Sequence, residues 1–303
     1  MGDVNLEQAA GHPRGPSDPP PEAGQPGGPP AREERRRPRH PLVIAHRGAS
    51  EEEPEHTLAA YQRAFFHGAD GVECDVRLTA DQHLVCVHDR RVDRTSNGAG
   101  VVSALELARL EELDWASWKT MRSKHDPERP EKDPERGRLL TLRRLLDTLV
   151  DTGEEVVTLI ETKHPTRHGG DVERALVQVL RLFDLADGDR PGRPHVRMMS
   201  FSQRALARMQ RLTPALPLVY LVEPGVPSIA LKGSLPLGLT RVGLNVRLLR
   251  RPKVVRAFQR RGHEVYVWTV DDTDDIDRCL DLGVDVIITN RPARVISRMA
   301  GSG

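Results

Sequence analysis

Nine short apolar runs alternating with amphipathic stretches constrain this chain most tightly. The runs are LVIAH (42–46), GVECDV (71–76), HLVCVH (83–88), VVTLIETK (156–163), VRMMSF (196–201), LPLVYLV (216–222), RVGLN (241–245), EVYVWTV (264–270) and VDVIIT (284–289). Runs of this length read as strands. Helical patterns lie between most of them, such as HTLAAYQRAFFHG, LTLRRLLDTLV, GDVERALVQVLRLF, SQRALARMQRL and DDTDDIDRCLDLG. Repeated β–α alternation predicts a parallel sheet covered by helices. One (β/α)8 TIM barrel over residues 41–298 accommodates this many strands better than two open sheets do.

One link breaks the alternation. Only RLTADQ separates GVECDV from HLVCVH, too short for a helical crossover, so the two strands are expected to form an antiparallel hairpin. A turn centred on Ala80-Asp81 would set Glu73 opposite His88 and Asp75 opposite Cys86, joining groups distant in sequence at one spot. The hairpin also accounts for nine strands in an eight-stranded design. Residues 117–138 are charged and broken by proline, and read either as a solvated loop or as a lid over the site. Trp115 and Trp118 are expected to anchor their own segment, LDWASW, on the barrel.

Residues 1–40 hold nine prolines and six glycines and almost no large apolar side chains. Such a segment cannot bury enough surface to offset its ordering entropy, and it reads as a disordered tail. Its end, REERRRPRH (32–40), has five arginines, but Glu33 and Glu34 interrupt them, and a solvated tail is favoured over a binding element. Across the 303 residues, 45 basic side chains balance 44 acidic ones. That gives no overall field to attract nucleic acid or acidic lipid. The cysteines at 74, 86 and 279 form no framework, and no apolar stretch is long enough to span a membrane. The expectation is a cytoplasmic protein without nucleic-acid partners or stable membrane insertion.

Chemistry concentrates at three strand ends. Along a strand, residues two apart share a face, so Glu73 and Asp75 project together while Cys74 faces the helices. The same parity pairs Glu161 with Lys163 and turns Thr162 away. Three carboxylates aimed into a barrel repel one another unless a cation sits among them, and all-oxygen ligands suit Mg²⁺ or Ca²⁺. The competing reading is structural pairing with Lys163 and Arg47, which would place four charges on two central strands. His46 and His88, flanked by Arg47 and Asp89, have the side chain suited to proton transfer near neutrality. No HxH or HExxH spacing points to zinc. Arg47 and Lys163 supply positive charge for phosphate, and Gly48 permits close backbone approach to an anion. Cys86 is expected to face inward as a small packing residue.

These residues stand in IAHRGAS, PEHTLAAYQRA, GADGVECDVRLTADQHLVCVHD, DRTSNGAG, LIETKHP, SF at 200–201, VWTV and GVDVIITNRP. In that order, over residues 42–292, the chain resembles glycerophosphodiester phosphodiesterases. The resemblance implies a barrel of the phospholipase C-like phosphodiesterase type and a divalent metal on Glu73, Asp75 and Glu161. It further implies His46 and His88 as the acid–base pair, Arg47 and Lys163 as phosphate-binding residues, and Trp268 near the glycerol side of the substrate. Four stretches depart from the pattern. PENT reads Pro54-Glu55-His56-Thr57, TVN reads Thr269-Val270-Asp271, ITD reads Ile288-Thr289-Asn290, and TLEE reads Thr141-Leu142-Arg143-Arg144.

The implied activity is metal-dependent hydrolysis of small glycerophosphodiesters to an alcohol and sn-glycerol 3-phosphate, with the glycerol 2-hydroxyl attacking first and water opening a cyclic phosphate. Which histidine acts first as base is left open, as are head group, metal and oligomeric state. Two other readings stand beside it. A lysophospholipase D-type activity on longer lipids would need an apolar channel, and 4% aromatic content offers little for one. A non-catalytic barrel used as a binding module would have no chemical reason to keep the His, Glu and Asp positions.

Overall fold

In the computed structural model the described residues are 40–120, 137–164, 169–225 and 231–301. The expected tail and most of the 117–138 segment lie outside them. Among the described residues nine strands form one sheet: β1 Leu42–His46, β2 Gly71–Leu78, β3 Leu84–Cys86, β4 Val157–Thr162, β5 His195–Ser200, β6 Leu218–Val222, β7 Arg241–Asn245, β8 Glu264–Trp268 and β9 Val286–Thr289. Eight of them are parallel, and pairing of β1 with both β9 and β2 closes the barrel. Around it lie α1 Leu58–Phe66, α2 Leu107–Glu111, α3 Ser117–Thr120, α4 Leu142–Asp151, α5 Asp171–Leu182, α6 Gln203–Leu212, α7 Pro252–Gln259, α8 Thr273–Leu282 and α9 Pro292–Ala300. The (β/α)8 expectation holds.

Local sequence sets the helix boundaries. Thr57, Thr141 and Ser202 sit in extended backbone and accept from the N–H three residues on, capping α1, α4 and α6. Buried Leu142, Leu145, Leu146 and Leu149 make one face of α4, the spacing that turns an apolar stripe to a sheet. Gly283 closes α8 in the left-handed conformation, which a Cβ would oppose.

Strand parity divides the core. Ile44, Leu159, Met199, Val219, Leu221, Tyr266 and Ile288 fill the barrel interior. Cys74, Val76, Ile160, Met198, the leucines of α4 and Leu176 and Leu180 of α5 pack outside it, and Val267, Ile287 and Val255 do the same on the far side. Gly71 leaves room where an added Cβ would lie 2.0 Å from the Val157 carbonyl oxygen. A smaller cluster, Val85, Val87, Val92, Leu110, Leu113, Trp115 and Leu139, lies around β3. Trp115 is buried there and donates its indole N–H to the Leu110 carbonyl, which bears out its anchoring role.

The hairpin forms, but one residue out of the expected register. Val76 pairs with Cys86, Arg77 with Val85 and Leu78 with Leu84, so neither Glu73–His88 nor Asp75–Cys86 is a cross-strand pair. The loop sets this register. Gln82 takes φ +69°, and the Thr79 hydroxyl bonds both Asp81 and the His83 N–H, closing a turn one residue longer than expected. A one-residue shift exchanges the faces of a strand. Cys86 accordingly packs with Cys74 on the helix side, not inward beside the site. β2 outruns β1, which pairs only with Gly71–Glu73, and β3 covers the edge left above.

Candidate active site

The carboxyl ends of β1, β2 and β4 bring the expected groups together. Oxygens of Glu73, Asp75 and Glu161 lie within 4.8 Å of one another, and all three side chains are buried. Asp75 is the hub. Arg47 Nε and His56 Nε2 each approach its Oδ2 at 3.0 Å, and Lys163 Nζ lies 2.8 Å from its Oδ1. Lys163 also reaches Glu161 Oε1 at 2.8 Å. The Arg47 backbone N–H donates to Glu73 Oε2 at 3.0 Å. Both the metal-site geometry and the ion pairing weighed against it are therefore present at one spot.

Electrostatics separate the three acids. Burial would raise Asp75, but Lys163 and Arg47 hold it well below the usual carboxylate range. Burial and the Asp75 charge push Glu73 well up and Glu161 to about 7. Arg47 and Lys163 thus bring two positive charges to three carboxylates, one too few, and two of the acids resist ionisation. That deficit of positive charge, offered three hard oxygen donors, fits a divalent cation.

Each histidine has its own support. His46 ends β1, and its Nδ1 lies 2.8 Å from Asn290 Oδ1. Burial and the Arg47 charge lower its pKa to about 3. His88 follows β3, with Nδ1 2.7 Å from Asp89 Oδ1. Arg77 donates twice to the His88 carbonyl, at 2.9 and 2.7 Å. Burial lowers His88, and the Asp75 charge opposes the shift.

Sequence reasoning missed the ion network joining the two loops. Arg47 Nη1 reaches Glu55 Oε1 at 3.0 Å. Arg94 binds Glu55 with Nη1 and Nη2, at 2.7 and 2.8 Å, and Asp89 with Nε at 2.5 Å. Burial would raise Glu55, yet hydrogen bonds from Arg94 and the charge of Arg47 take it far down. Glu55 and Arg94 stand in recognised motifs, and nothing in a linear reading pairs positions 39 apart. His56 is the residue that departs from PENT. Its Nδ1 meets the Tyr61 hydroxyl at 2.9 Å, and the same hydroxyl donates to the Glu73 carbonyl at 3.2 Å.

Trp268 stands at the end of β8, its indole N–H on the Gly243 carbonyl at 3.1 Å. Phe201 meets it edge-on, with ring centroids 5.4 Å apart. Phe201 is 38% exposed, so the pair forms an accessible aromatic wall at the end that carries the acids. Among the described residues no helix is long and apolar enough to cross a membrane.

Comparison with known proteins points the same way. A probable glycerophosphodiester phosphodiesterase 1 of Mycobacterium tuberculosis is 45% identical over 257 residues, covering 84% of this chain and 91% of that protein. A glycerophosphodiester phosphodiesterase of Caldanaerobacter subterraneus is 32% identical over 267 residues, 86% of this chain and 99% of its own length. Among solved structures, an Oleispira antarctica phosphodiesterase in complex with the product sn-glycerol-3-phosphate superposes with TM-score 0.71 at 25% identity, over 86% of this chain and 97% of that one. A Silicibacter pomeroyi structure at 24% identity and TM-score 0.72, covering 86% and 94%, shares the fold. Residues 46–294 match the glycerophosphoryl diester phosphodiesterase family, and the chain belongs to it.

Proposed function

We propose that this protein hydrolyses small glycerophosphodiesters to an alcohol and sn-glycerol 3-phosphate. The observation that carries the reading is the convergence of three buried carboxylates, two cationic side chains and two separately supported histidines at one end of the barrel. Glu73, Asp75 and Glu161 would hold a divalent ion, Mg²⁺ or Ca²⁺, which when bound supplies Lewis-acid polarisation of the phosphoryl group. Arg47 and Lys163 offset charge that builds on the phosphoryl oxygens in the transition state. His46 and His88 move protons: one takes the proton of the attacking hydroxyl, and the other gives one to the departing alkoxide. Asn290 and Asp89 hold the rings for these transfers. Trp268 and Phe201 offer an apolar face to the glycerol carbons. The domain is taken as residues 41–298 and its location as cytoplasmic.

The test is a panel of glycerophosphodiesters, from glycerophosphocholine to lysophospholipids, assayed after EDTA dialysis and again with Mg²⁺ or Ca²⁺ restored. Hydrolysis of the small diesters, lost on chelation and recovered with metal, is the expected result. Full activity after chelation would refute the metal role. Turnover of the lipids alone would favour the lysophospholipase D reading, and no turnover at all the binding-module one.

A further inference from the structure

The ends of β1 and β9 are joined by polar contacts that proton transfer alone does not require. Asp271, which follows β8, accepts on Oδ1 from the Asn290 backbone N–H at 2.8 Å and from the Thr289 hydroxyl at 3.1 Å. Its Oδ2 accepts from Asn290 Nδ2 at 2.6 Å. The Asn290 amide therefore turns its Oδ1 toward β1, where it lies 2.8 Å from His46 Nδ1 and 2.7 Å from Ser50 Oγ. With the amide turned over, its oxygen would lie against a carboxylate oxygen with no hydrogen between them. Asp271 thus fixes the amide. A carbonyl oxygen only accepts, so His46 Nδ1 must carry the hydrogen, and in the neutral ring Nε2 is then the free acceptor.

Asp271 and Asn290 are also two of the positions where this chain departs from the family pattern, with Asp where TVN has Asn and Asn where ITD has Asp. The two exchanged side chains touch. The carboxylate consequently stands one side chain away from the imidazole, whereas His88 keeps Asp89 directly on its Nδ1.

We propose that Asn290 and Asp271 are positioning residues for His46: the Asn290 carbonyl selects the Nδ1–H tautomer, Asp271 prevents the amide from flipping, and Nε2 is presented unprotonated to the substrate. This rests on the reading of His46 as a proton carrier. The effect belongs in kcat, since neither side chain is placed to touch substrate, and a misoriented or wrong-tautomer histidine still permits binding.

The full chain, labelled with ¹⁵N-histidine, would be examined above neutrality by long-range ¹H–¹⁵N correlation, with His46→Gln used to assign the resonance. The wild-type protein should show His46 protonated at Nδ1. D271N frees the amide to turn, and should populate the Nε2–H form and lower kcat for glycerophosphocholine by about 10–100-fold, with little change in KM. The double variant D271N/N290D restores an acceptor facing Nδ1 and a donor behind it, and should recover most of the loss in both tautomer and kcat. An Nε2–H wild-type ring, a D271N protein with wild-type tautomer and rate, or a double variant no better than D271N would each overturn the proposal. If D271N does not fold, the wild-type spectrum and the double variant decide. The spectra stand whether or not the protein turns over any glycerophosphodiester, so failure of the activity and failure of the relay are separately visible.

Discussion

His46 and His88 differ in what holds them, an amide on one and a carboxylate on the other. Replacing either with alanine is expected to lower kcat by about 10²–10⁴, read with glycerophosphocholine under saturating metal. Near-normal turnover by both variants would remove them from the proton path. His56 adopts φ +61°, a conformation that asparagine and histidine tolerate better than most residues. That explains why the imidazole can stand where the family pattern has Asn. The imidazole does more than fit the backbone, because it bonds both Asp75 and the Tyr61 hydroxyl. H56N should therefore keep the fold, and weaken divalent-metal binding by about tenfold through loss of orientation of Asp75. Calorimetric titration of the metal would measure it, and unchanged affinity would show that the longer side chain is dispensable. The residue types were readable in sequence because the proposed metal and phosphate chemistry would demand them. Glu55 and Arg94 were not, since an ion pair between loops leaves no trace in either loop alone.

Strands are the elements that sequence placed best. β1 and β7 have the bounds their apolar runs predict, and Cys74 and Thr162 point outward as the two-residue period requires. The hairpin shows where that reading stops. Its existence followed from a link too short for a crossover, whereas its register depended on the φ of Gln82 and on the Thr79 side chain. His88 reaches the site from the loop beyond β3, where Arg77 holds its carbonyl, rather than from a rung opposite Glu73. Gly48 is a second place where an element contact decides. It has φ +83°, and an added Cβ would lie 2.6 Å from the backbone of Ala60 in α1. G48A is expected to cost more than about 2 kcal/mol through the positive φ and the overlap together. A lower urea midpoint at unchanged slope would report it. An unshifted midpoint would mean that α1 can move aside freely.

At the scale of the whole molecule, barrel closure forces acids from β2 and β4 to share one buried volume, which couples stability to pH and metal. Without a cation Glu161 is held at about 7, above its ordinary value of 4.5. Between those values the folded chain keeps a proton that the unfolded chain has released, so metal-free stability falls as pH rises through that window. A divalent ion held by the ionised acids, as proposed, would stabilise the fold by about 2.7 kcal/mol at a hundredfold excess over its Kd, more strongly as pH rises. The drop in Tm on adding EDTA should therefore be small near the lower end of the window and larger above its upper end. A drop independent of pH would separate metal binding from these carboxylates. The barrel, the inward parity of Glu73, Asp75 and Glu161 and the identity of the chemical groups are all legible in the linear chain, because side-chain period and residue chemistry are local properties. The hairpin register, the Glu55–Arg94 bridge and the contact of Asp271 with Asn290 come from folding alone. Each depends on the relative placement of chain segments that meet only when the barrel closes.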